Sequence, residues 1–383
     1  MKEKKAVSLE TYLMLAAFIG VFGFLGSQMG MGNLFNTIMN TAHDLLLNTV
    51  FFIMAISVVT GALSTLLAEF GGIALLNKLI SPLMRPLYGL PGAASLGVVS
   101  TFVSDNPAIL ALTKNDKFIK YFKEYQIPAL CNLGTSFGMG MILVTYMMGL
   151  PLEGVMLAAP IGVLGACIGS VVSVRLMLDK TKKHYGITRE ESKKDHSLKS
   201  DVKMGEETRT VHGSVMERIL NAILEGGKTG VDLGFAIIPG VLCICTFVMI
   251  LTFGPSETGF TGAAYEGIAL LPKFGAVIEP ITRVLFGFKD PSNIAFPITS
   301  LGATGAAMAL VPKMIQTGAA GLNEIAVFTA MGMCWSGYLS THISMMDALD
   351  KRQFIKDAIL SHTVGGLCAG VAAHYIFVLV SML

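Results

Sequence analysis

Apolar residues form seven runs that are each long enough to cross the hydrocarbon core of a bilayer, which takes about 20 residues of helix. The runs cover residues 11–30, 48–70, 126–149, 153–178, 231–253, 322–345 and 357–380. The first run follows a basic N-terminus, but no small-residue cleavage site and soluble domain come after it, so we predict a retained helix. The pattern predicts an all-α polytopic membrane protein.

Two further segments, 93–113 and 291–313, are apolar but interrupted. The first is broken at its centre by residues 104–107 (SDNP), and the second opens with residues 290–293 (DPSN), about 13 residues earlier than a copy of the first break would require. Proline lacks a backbone donor, and Asp and Asn favour turns and caps. Such backbone survives in a membrane only where protein or a water-filled cavity satisfies it. We therefore predict two re-entrant helical hairpins.

The chain also contains an internal duplication. Residues 79–90 (LISPLMRPLYGL) align with residues 277–288 (VIEPITRVLFGF) at a shift of 198, and the register continues to Val144/His342 with 11 identities in 66 positions. Internal repeats of this length are typical of secondary transporters. The predicted organisation is an extra N-terminal helix (1–31), repeat 1 (32–178, hairpin 93–113), a cytoplasmic linker (179–214) and repeat 2 (215–383, hairpin 291–313).

Basic residues predict the topology. If the N-terminus is inside and only the seven runs cross, 24 of the 28 Lys and Arg residues lie inside, and only Lys273, Arg283, Lys289 and Lys313 lie outside. Crossing hairpins would move a lysine cluster and the basic linker outside, against the positive-inside rule. The two repeats are therefore predicted to have inverted topology. The mixed segments 71–90 and 262–288 suit interfacial helices, one on each side.

Composition agrees with a membrane protein and excludes several classes. Hydrophobic residues make up 53% and charged residues 14% of the chain, against about 25% charged residues in soluble domains. A net charge of +2 gives no reason to expect nucleic-acid binding. The six cysteines lie in apolar segments without metal-site spacing. No hydrolase, nucleotide-binding or metalloprotease motif is present, so we expect no enzyme, no catalytic residue and no metal centre.

Asp105 is the strongest candidate for a functional residue. A carboxylate inside a re-entrant segment is costly unless it faces water, a cation or a partner. Together with Ser104, Asn106 and the carbonyls freed by Pro107, it could coordinate Na⁺ or bind a polar substrate. The alternative is that Asp105 only caps the second half-helix.

The other candidates lie in the second hairpin and in the helices that follow each hairpin. The predicted substrate-binding residues are Thr101, Ser104, Asp105, Asn106, Asn132, Thr135, Ser136, Ser292, Asn293, Ser300, Thr304 and Ser336. Asp105, Asn106 and Asn132 form the predicted ion-coupling set. Interhelical hydrogen bonding is the structural alternative for most hydroxyls, and His342 is either a satisfied buried imidazole or a proton carrier. Asp290 is a cap or a site residue, and Asp232 is predicted to lie near a helix end.

The order of helix, interfacial helix, hairpin and two helices, repeated with inverted topology, resembles the concentrative nucleoside transporters. The segments around 104–107 and 290–293 also resemble the Gate, or nucleoside-recognition, domain family, which includes spore-maturation-type membrane proteins. The stretch 101–110 (TFVSDNPAIL) is similar to the hairpin tip of nucleoside transporters, where an acidic residue precedes a proline. The ethanolamine permeases have a comparable Asn/Pro hairpin followed by a glycine-rich helix.

These observations predict a secondary transporter of a small polar solute, with a nucleoside or nucleobase-like substrate favoured. Coupling to Na⁺ or H⁺ and alternating access with two hairpin gates are expected. The alternatives are a non-transporting assembly or signalling protein of the spore-maturation type, and an amine permease. We expect no resident cofactor, with Na⁺ as the one candidate ion, a lipid bilayer as surroundings and a homo-oligomer. The expected location is the bacterial cytoplasmic membrane, with the N-terminus cytoplasmic.

Overall fold

The computed structural model describes residues 5–114, 116–188, 191 and 212–383. These ranges contain helices and connecting loops but no β-strand. Most of the predicted linker 179–214 lies outside the described residues, although α10 continues into it as far as Tyr185. The α-helices are α1 Leu9–Met29, α2 Met31–Asp44, α3 Phe51–Glu69, α4 Gly72–Leu83, α5 Ala94–Val103, α6 Pro107–Thr113, α7 Asp116–Ile119, α8 Ala129–Thr135, α9 Gly140–Met148, α10 Val155–Tyr185, α11 Val215–Pro239, α12 Thr246–Thr252, α13 Leu270–Phe286, α14 Ala295–Gly302, α15 Thr304–Gln316, α16 Leu322–Cys334, α17 Tyr338–Ala348 and α18 Ile355–Ser381.

Six stretches of the described chain are long and apolar enough to cross a membrane, which confirms a multi-pass all-α membrane protein. They are Leu9–Met29, Met31–Glu69, Ala129–Met148, Val155–Tyr185, Val215–Thr252 and Arg352–Ser381. The predicted run 322–345 is not one unbroken helix, and its crossing of the membrane stays a prediction. It is divided into α16 and α17 because Gly337 adopts a left-handed φ of 70° between them.

Two of the spanning helices begin well before the apolar runs that predicted them. Helices α2 and α3 are joined by a π-helical segment, Leu45–Val50, and helices α11 and α12 by a second one, Gly240–Cys245. Apolar runs located only the second part of each helix, because the first part carries polar residues. Residues 31–44, for example, include four Asn or Asp side chains but no proline that would end the helix.

The duplication is visible in the backbone at the same shift of 198 residues. The amphipathic helices before the hairpins end at Gly89 and Gly287, which both adopt left-handed conformations, with φ of 72° and 70°. At the next boundary, Gln126 accepts a hydrogen bond from the Lys123 amide at 2.9 Å, and Glu324 accepts one from the Gly321 amide at 3.0 Å. Matched caps at matched positions show that both halves follow one backbone plan.

The segments predicted to be interfacial form α4, extended by the π-helical segment Met84–Tyr88, and α13. The second of these helices begins at Leu270 rather than near 262, because residues 253–269 form an ordered loop. Asn33 and Asn40 of α2 donate hydrogen bonds to the carbonyls of Phe260 and Gly262 in that loop, at 2.9 and 2.8 Å. The loop therefore covers the polar side of α2.

Two tight helix pairs join repeat 1 to repeat 2. Helix α3 packs against α11, and helix α10 packs against α18. In the first pair, a Cβ atom at Gly226 would lie 2.3 Å from the Gly61 carbonyl oxygen, and one at Gly230 would lie 2.3 Å from that of Ser57. Small residues at spacings of four allow such close backbone approach in membranes. Gly61 and Gly230 of this contact also line the cavity at hairpin 1.

Candidate functional site

The first hairpin is formed by α5 and α6, with residues 104–106 at its tip. Helix α5 ends at Val103, and Ser104 departs from helical geometry with φ −112° and ψ −100°. Helix α6 begins with Pro107, whose missing N–H costs nothing in the first turn of a helix. The proline and the polar residues before it thus produce the break where the sequence predicted it.

The carboxylate of Asp105 binds the broken helix of its own repeat. Its Oδ1 accepts a hydrogen bond from the backbone N–H of Met139 at 3.0 Å. Met139 lies between α8 and α9 and has a left-handed φ of 53°, so its amide is not used by a continuous helix. Asp105 therefore does not cap its own half-helix, for which no side-chain cap bond is present. Instead it joins the hairpin tip to a second irregular segment.

Asn106 makes the corresponding contact to repeat 2. Its Nδ2 donates hydrogen bonds to the backbone oxygen and to the hydroxyl of Ser336, both at 3.1 Å, across 230 residues of sequence. Cβ atoms at Gly138 and Gly337 would lie 2.5 and 2.6 Å from this amide. Asn106, only 7% exposed, thus fits between the breaks of both repeats, where glycine leaves the necessary space.

The second hairpin, formed by α14 and α15, occupies the matched position in repeat 2 but has a different tip. Its break lies at Ala303, with φ −160°, between α14 and α15. The polar break predicted at residues 290–293 is therefore not the tip. That segment forms a 3₁₀ turn at the hairpin entrance, where Asp290 Oδ1 accepts from the Ser292 amide at 2.8 Å. At the shift of 198, Ala303 stands in the place of Asp105, and Thr304 in that of Asn106.

A cavity of about 570 Å³ lies between α3, α9, α11 and hairpin 1. Half of the residues that line it are of polar type, and both Ser104 and Asp105 are among them. The described lining residues are Ser57, Thr60, Gly61, Ser64, Thr65, Ala68, Ile73, Ser100, Val103, Ser104, Asp105, Ala108, Ile142, Thr229, Gly230, Asp232, Leu233 and Ala236. Two carboxylates therefore face one space, and none of the described lining residues is Lys, Arg or His.

Asp232 was missed as a candidate. The expectation that it lies near a helix end is wrong, because it lies well inside the continuous stretch Val215–Thr252. The polar residues of α3 were missed too, although Ser57, Thr60 and Ser64 follow a helical spacing that could have identified them. Ser64 connects α3 to the hairpin, since its hydroxyl donates to the Val103 carbonyl at 2.9 Å.

The other predicted residues lie elsewhere in the interior. Asn132 donates to the Ser173 hydroxyl at 3.0 Å and to the Ala358 carbonyl at 2.9 Å. The side chains of Thr101, Thr135, Ser136, Asn293 and Thr304 donate to the backbone carbonyls of Gly97, Cys131, Asn132, Ala319 and Gly332. Ser292 is buried, and Ser300 Oγ is buried with no hydrogen-bond partner among the residues that the structure describes. Their assignment to the substrate site remains a prediction.

Comparison with known proteins identifies the fold. No protein-family model and no curated protein matches the sequence. Solved structures of variants of the concentrative nucleoside transporter CNTnw do match. One intermediate state has a TM-score of 0.53 at 15% identity, covering 95% of this chain and 84% of CNTnw. An outward-facing state gives 0.53 at 15%, covering 99% and 94%, and another intermediate gives 0.54 at 15%, covering 95% and 85%.

The chain has the fold of a concentrative nucleoside transporter. The resemblance in architecture drawn from the order of elements is thereby confirmed. Membership of the Gate-domain family stays a prediction, since no family model matches. Within this fold, the candidate site combines the tip of hairpin 1, the two broken helices and the cavity beside α3 and α11.

Proposed function

We propose that the protein is a secondary transporter of a small polar solute that binds in the cavity between α3, α11 and hairpin 1. The observation that carries this proposal is a cavity of about 570 Å³ that reaches the unwound tip of hairpin 1. Its volume falls in the range of roughly 300–1,000 Å³ that small-molecule sites occupy. A polar break that faces a cavity is the arrangement with which transporters bind substrate.

A nucleoside or a nucleobase-like solute is the favoured substrate. The CNTnw structures that share the fold belong to a nucleoside transporter. The hydroxyls of Ser100, Ser104 and Thr65 in the cavity lining, together with Asp105, can hydrogen-bond sugar hydroxyls and base edges. Apolar lining residues such as Ile73, Ile142 and Leu233 suit the flat face of a base.

An amine-bearing solute is the second candidate, because the cavity is negatively charged. Asp105 and Asp232 both line it, and no cationic side chain appears among its described lining residues. A carboxylate in a poorly hydrated space is best stabilised by a cation. This is the property that an amine permease requires.

Coupling to Na⁺ or H⁺ would involve the hairpin tip. The Oδ1 atom of Asn106 is buried and has no hydrogen-bond partner among the described residues, and the carboxylate of Asp105 is adjacent in sequence. Oxygen donors of this kind suit Na⁺. Asn132, the third predicted coupling residue, also has a buried Oδ1 without a partner, although its amide is bound to Ser173 and Ala358.

Three contacts would form the gate of hairpin 1: Asp105 with Met139, Asn106 with Ser336, and Ser64 with the Val103 carbonyl. All three would have to loosen for the tip to move, and they connect it to both repeats. Hairpin 2 would be the gate on the other side. In alternating access, one hairpin would be docked while the other is undocked, and the two would then exchange states.

The test is a ligand screen on purified protein, read as a shift in unfolding temperature. A ligand that binds only the folded state raises that temperature. Nucleosides, nucleobases and small amines would be screened with Na⁺ or with choline as the cation. The response should be lost in Asp105→Asn and kept in the matched control Asp290→Asn, which alters a carboxylate at the entrance of hairpin 2. No response to any of these solutes, or an equal response in Asp105→Asn, would contradict the proposal.

A further inference from the structure

Two histidines face each other in the interior, close to the break between α16 and α17. His342 of α17 and His362 of α18 are fully buried, and their ring centroids are 4.6 Å apart. Neither residue lines the cavity described above. Two buried imidazoles in the core of a membrane protein require partners, and those partners determine where the protons lie.

The tautomer of His362 follows from its neighbours. Its Nε2 faces the carbonyl oxygen of Cys334, and since a carbonyl can only accept, Nε2 carries the proton. Its Nδ1 therefore accepts, and the hydroxyl of Ser173 at 2.9 Å is the donor. Ser173 in turn accepts from Asn132 Nδ2 at 3.0 Å. Both ring nitrogens of His362 are thus satisfied.

The same reasoning gives the opposite result for His342. Its Nδ1 faces the carbonyl oxygen of Tyr338 one turn earlier, so Nδ1 carries the proton. Nε2 is then an unprotonated nitrogen with a free lone pair, and it is buried with no hydrogen-bond partner in the part of the chain that the structure describes. A satisfied core histidine would use both nitrogens, as His362 does. His342 holds an unused proton acceptor instead.

The groups around His342 offer no opposite charge. Of the elements packed against α17, helices α6 and α14 contain no titratable side chain and α8 contains only Cys131. In the 3₁₀ turn before α18, Arg352 is paired with Asp347. From α18 the group that faces His342 is His362, and on its own helix Tyr338 lies 6.2 Å away between ring centroids. The other titratable side chains of α18 lie five or more residues from His362 along the helix: Lys356, Asp357, Cys368, His374 and Tyr375.

The hairpin tip lies near the start of the same helix. Gly337, five residues before His342, is packed against Asn106, whose amide is bound to Ser336. The neutral amide of Asn106 is the group that hairpin 1 presents there, with the carboxylate of Asp105 one residue earlier. The helix that carries His342 thus begins at the point where hairpin 1 docks.

We propose that Nε2 of His342 is the binding site of the coupling proton, so that the proposed transport is driven by H⁺ rather than Na⁺. This inference rests on the proposed function. A positive charge on a buried imidazole without a counter-ion is unfavourable, so the proton is held when the break before α17 opens to water. Proton binding therefore favours the state in which hairpin 1 is undocked, and docking of the hairpin expels the proton.

The proton site can be tested without a substrate. Protein labelled with ¹⁵N-histidine in lipid nanodiscs would be titrated from about pH 8 to about pH 5, the range in which histidine changes charge. The spectrum should contain one ring in the Nδ1–H tautomer, and the signal of its unprotonated Nε2 should disappear as the pH falls. His342→Gln and His342→Asn should both lack this Nε2 signal. His362→Gln should remove an Nε2–H signal instead. The wild-type spectrum is informative even if a variant fails to fold. A His342 ring that stays neutral at about pH 5 in folded protein would overturn the proposal.

A second measurement separates this inference from the proposed function. Uridine and ethanolamine uptake into proteoliposomes would be driven by a pH gradient, with choline in place of Na⁺. Accumulation should be lost in His342→Gln, while exchange of labelled for unlabelled solute is kept. Accumulation by His342→Gln at the wild-type level, or uptake that requires Na⁺, would overturn the proton site alone. If neither solute is taken up while His342 still titrates, the transport assignment is at fault and the proton-binding site stands.

Discussion

The two hairpins occupy matched positions in the two repeats but differ in chemistry. Hairpin 1 has a charged tip, with Asp105 bound to Met139 and facing a cavity. Hairpin 2 has Ala303 at the same position, and most of its second helix, α15, is buried among apolar side chains. The duplication therefore kept a broken helical hairpin in both repeats, while only one copy has a charged tip. Repeat symmetry predicts where a break occurs, but not what the break binds.

The largest effect is expected for Asp105→Asn, which removes the one carboxylate that distinguishes the two tips. The amide keeps the shape and can still accept from the Met139 N–H, so the protein should fold. Loss of a charge-assisted contact should weaken ligand binding by at least about tenfold. Titration of the ligand-induced thermal shift measures this. Asp290→Asn, at the entrance of hairpin 2, should bind as wild type, and equal losses in both variants would mean that the hairpins are equivalent.

Replacement of Gly337 should destabilise the docking site of hairpin 1. Gly337 has φ of 70°, and a Cβ there would lie 2.3 Å from Thr341 Oγ1 and 2.6 Å from the Asn106 amide. Gly337→Ala should therefore cost about 1–3 kcal/mol in the free energy of unfolding. The matched control is Gly302→Ala at the tip of hairpin 2, where a Cβ meets nothing within 4 Å. That variant should stay within about 0.5 kcal/mol of wild type. Denaturant unfolding in detergent gives both values, and a larger loss in the control would reverse the comparison.

The pair Asn106 and Thr304 compares the two tips at matched positions. Asn106 donates two hydrogen bonds across the repeats to Ser336, and Thr304 donates one to the Gly332 carbonyl at 3.0 Å. Asn106→Ala should destabilise the fold by about 2 kcal/mol and Thr304→Ala by about 1 kcal/mol. Cysteine-accessibility labelling at Ser104 should increase in the first variant only. Unchanged labelling would show that Asn106 does not hold the tip.

Asp232→Asn distinguishes the two candidate substrate classes. Asp232 is exposed on α11 and lines the cavity opposite hairpin 1. Because this side chain is exposed, unlike the enclosed Asp105 tip, its removal should weaken binding of an amine-bearing ligand by only about two- to fivefold. Binding of a neutral nucleoside should not change. A thermal-shift titration with ethanolamine and with uridine would show the difference, and an equal effect on both ligands would exclude a charge-selective role.

The smallest effect is expected in the loop 253–269, which contacts α15 of hairpin 2. Lys313 of α15 lies over the Tyr265 ring at 5.4 Å, in the loop that Glu266 organises. Burial raises the pKa of Glu266, but hydrogen bonds from the Thr261 side chain and from the Gly262 and Thr261 amides more than offset this, so the pKa lies below its ordinary value. Because the pKa of Glu266 is lower in the folded loop, its ionised form stabilises the loop at every pH above the ordinary pKa of a glutamate. This stabilisation is lost as the pH falls through the lowered pKa of the folded state.

Hydrogen exchange in residues 253–269 should therefore be slow at neutral pH and become faster under acid conditions. Glu266→Gln should exchange quickly at every pH, because the amide cannot replace the charged acceptor. In hairpin 1 the variant should exchange as the wild type does. Identical pH profiles for the variant and the wild type would remove Glu266 as the residue that holds the loop.

The sequence alone predicted the features that depend on local backbone chemistry. Pro107 removes an N–H, and Asp105 and Asn106 tolerate an irregular turn, so the break of hairpin 1 could be located. The second break could not, because Gly302 and Ala303 carry no polar signal and the more conspicuous polar segment at 290–293 caps a 3₁₀ turn instead. The shift of 198 residues would have located it, since the repeat fixes backbone positions independently of side chains.

The sequence by itself determined that this protein lies in a lipid bilayer, that it is helical and that it contains a duplication. Segment length and apolar content decide whether a helix spans a bilayer. Tertiary structure alone decided which polar groups meet. Asn106 reaches Ser336 across 230 residues, Asp232 shares a cavity with Asp105, and His342 is left without a partner beside a satisfied His362. An apolar helix surface is equally compatible with lipid and with another helix, so the apolar pattern of a helix does not select its neighbours. Close packing of small residues and the pairing of buried polar groups select them instead, and both exist only in the folded chain.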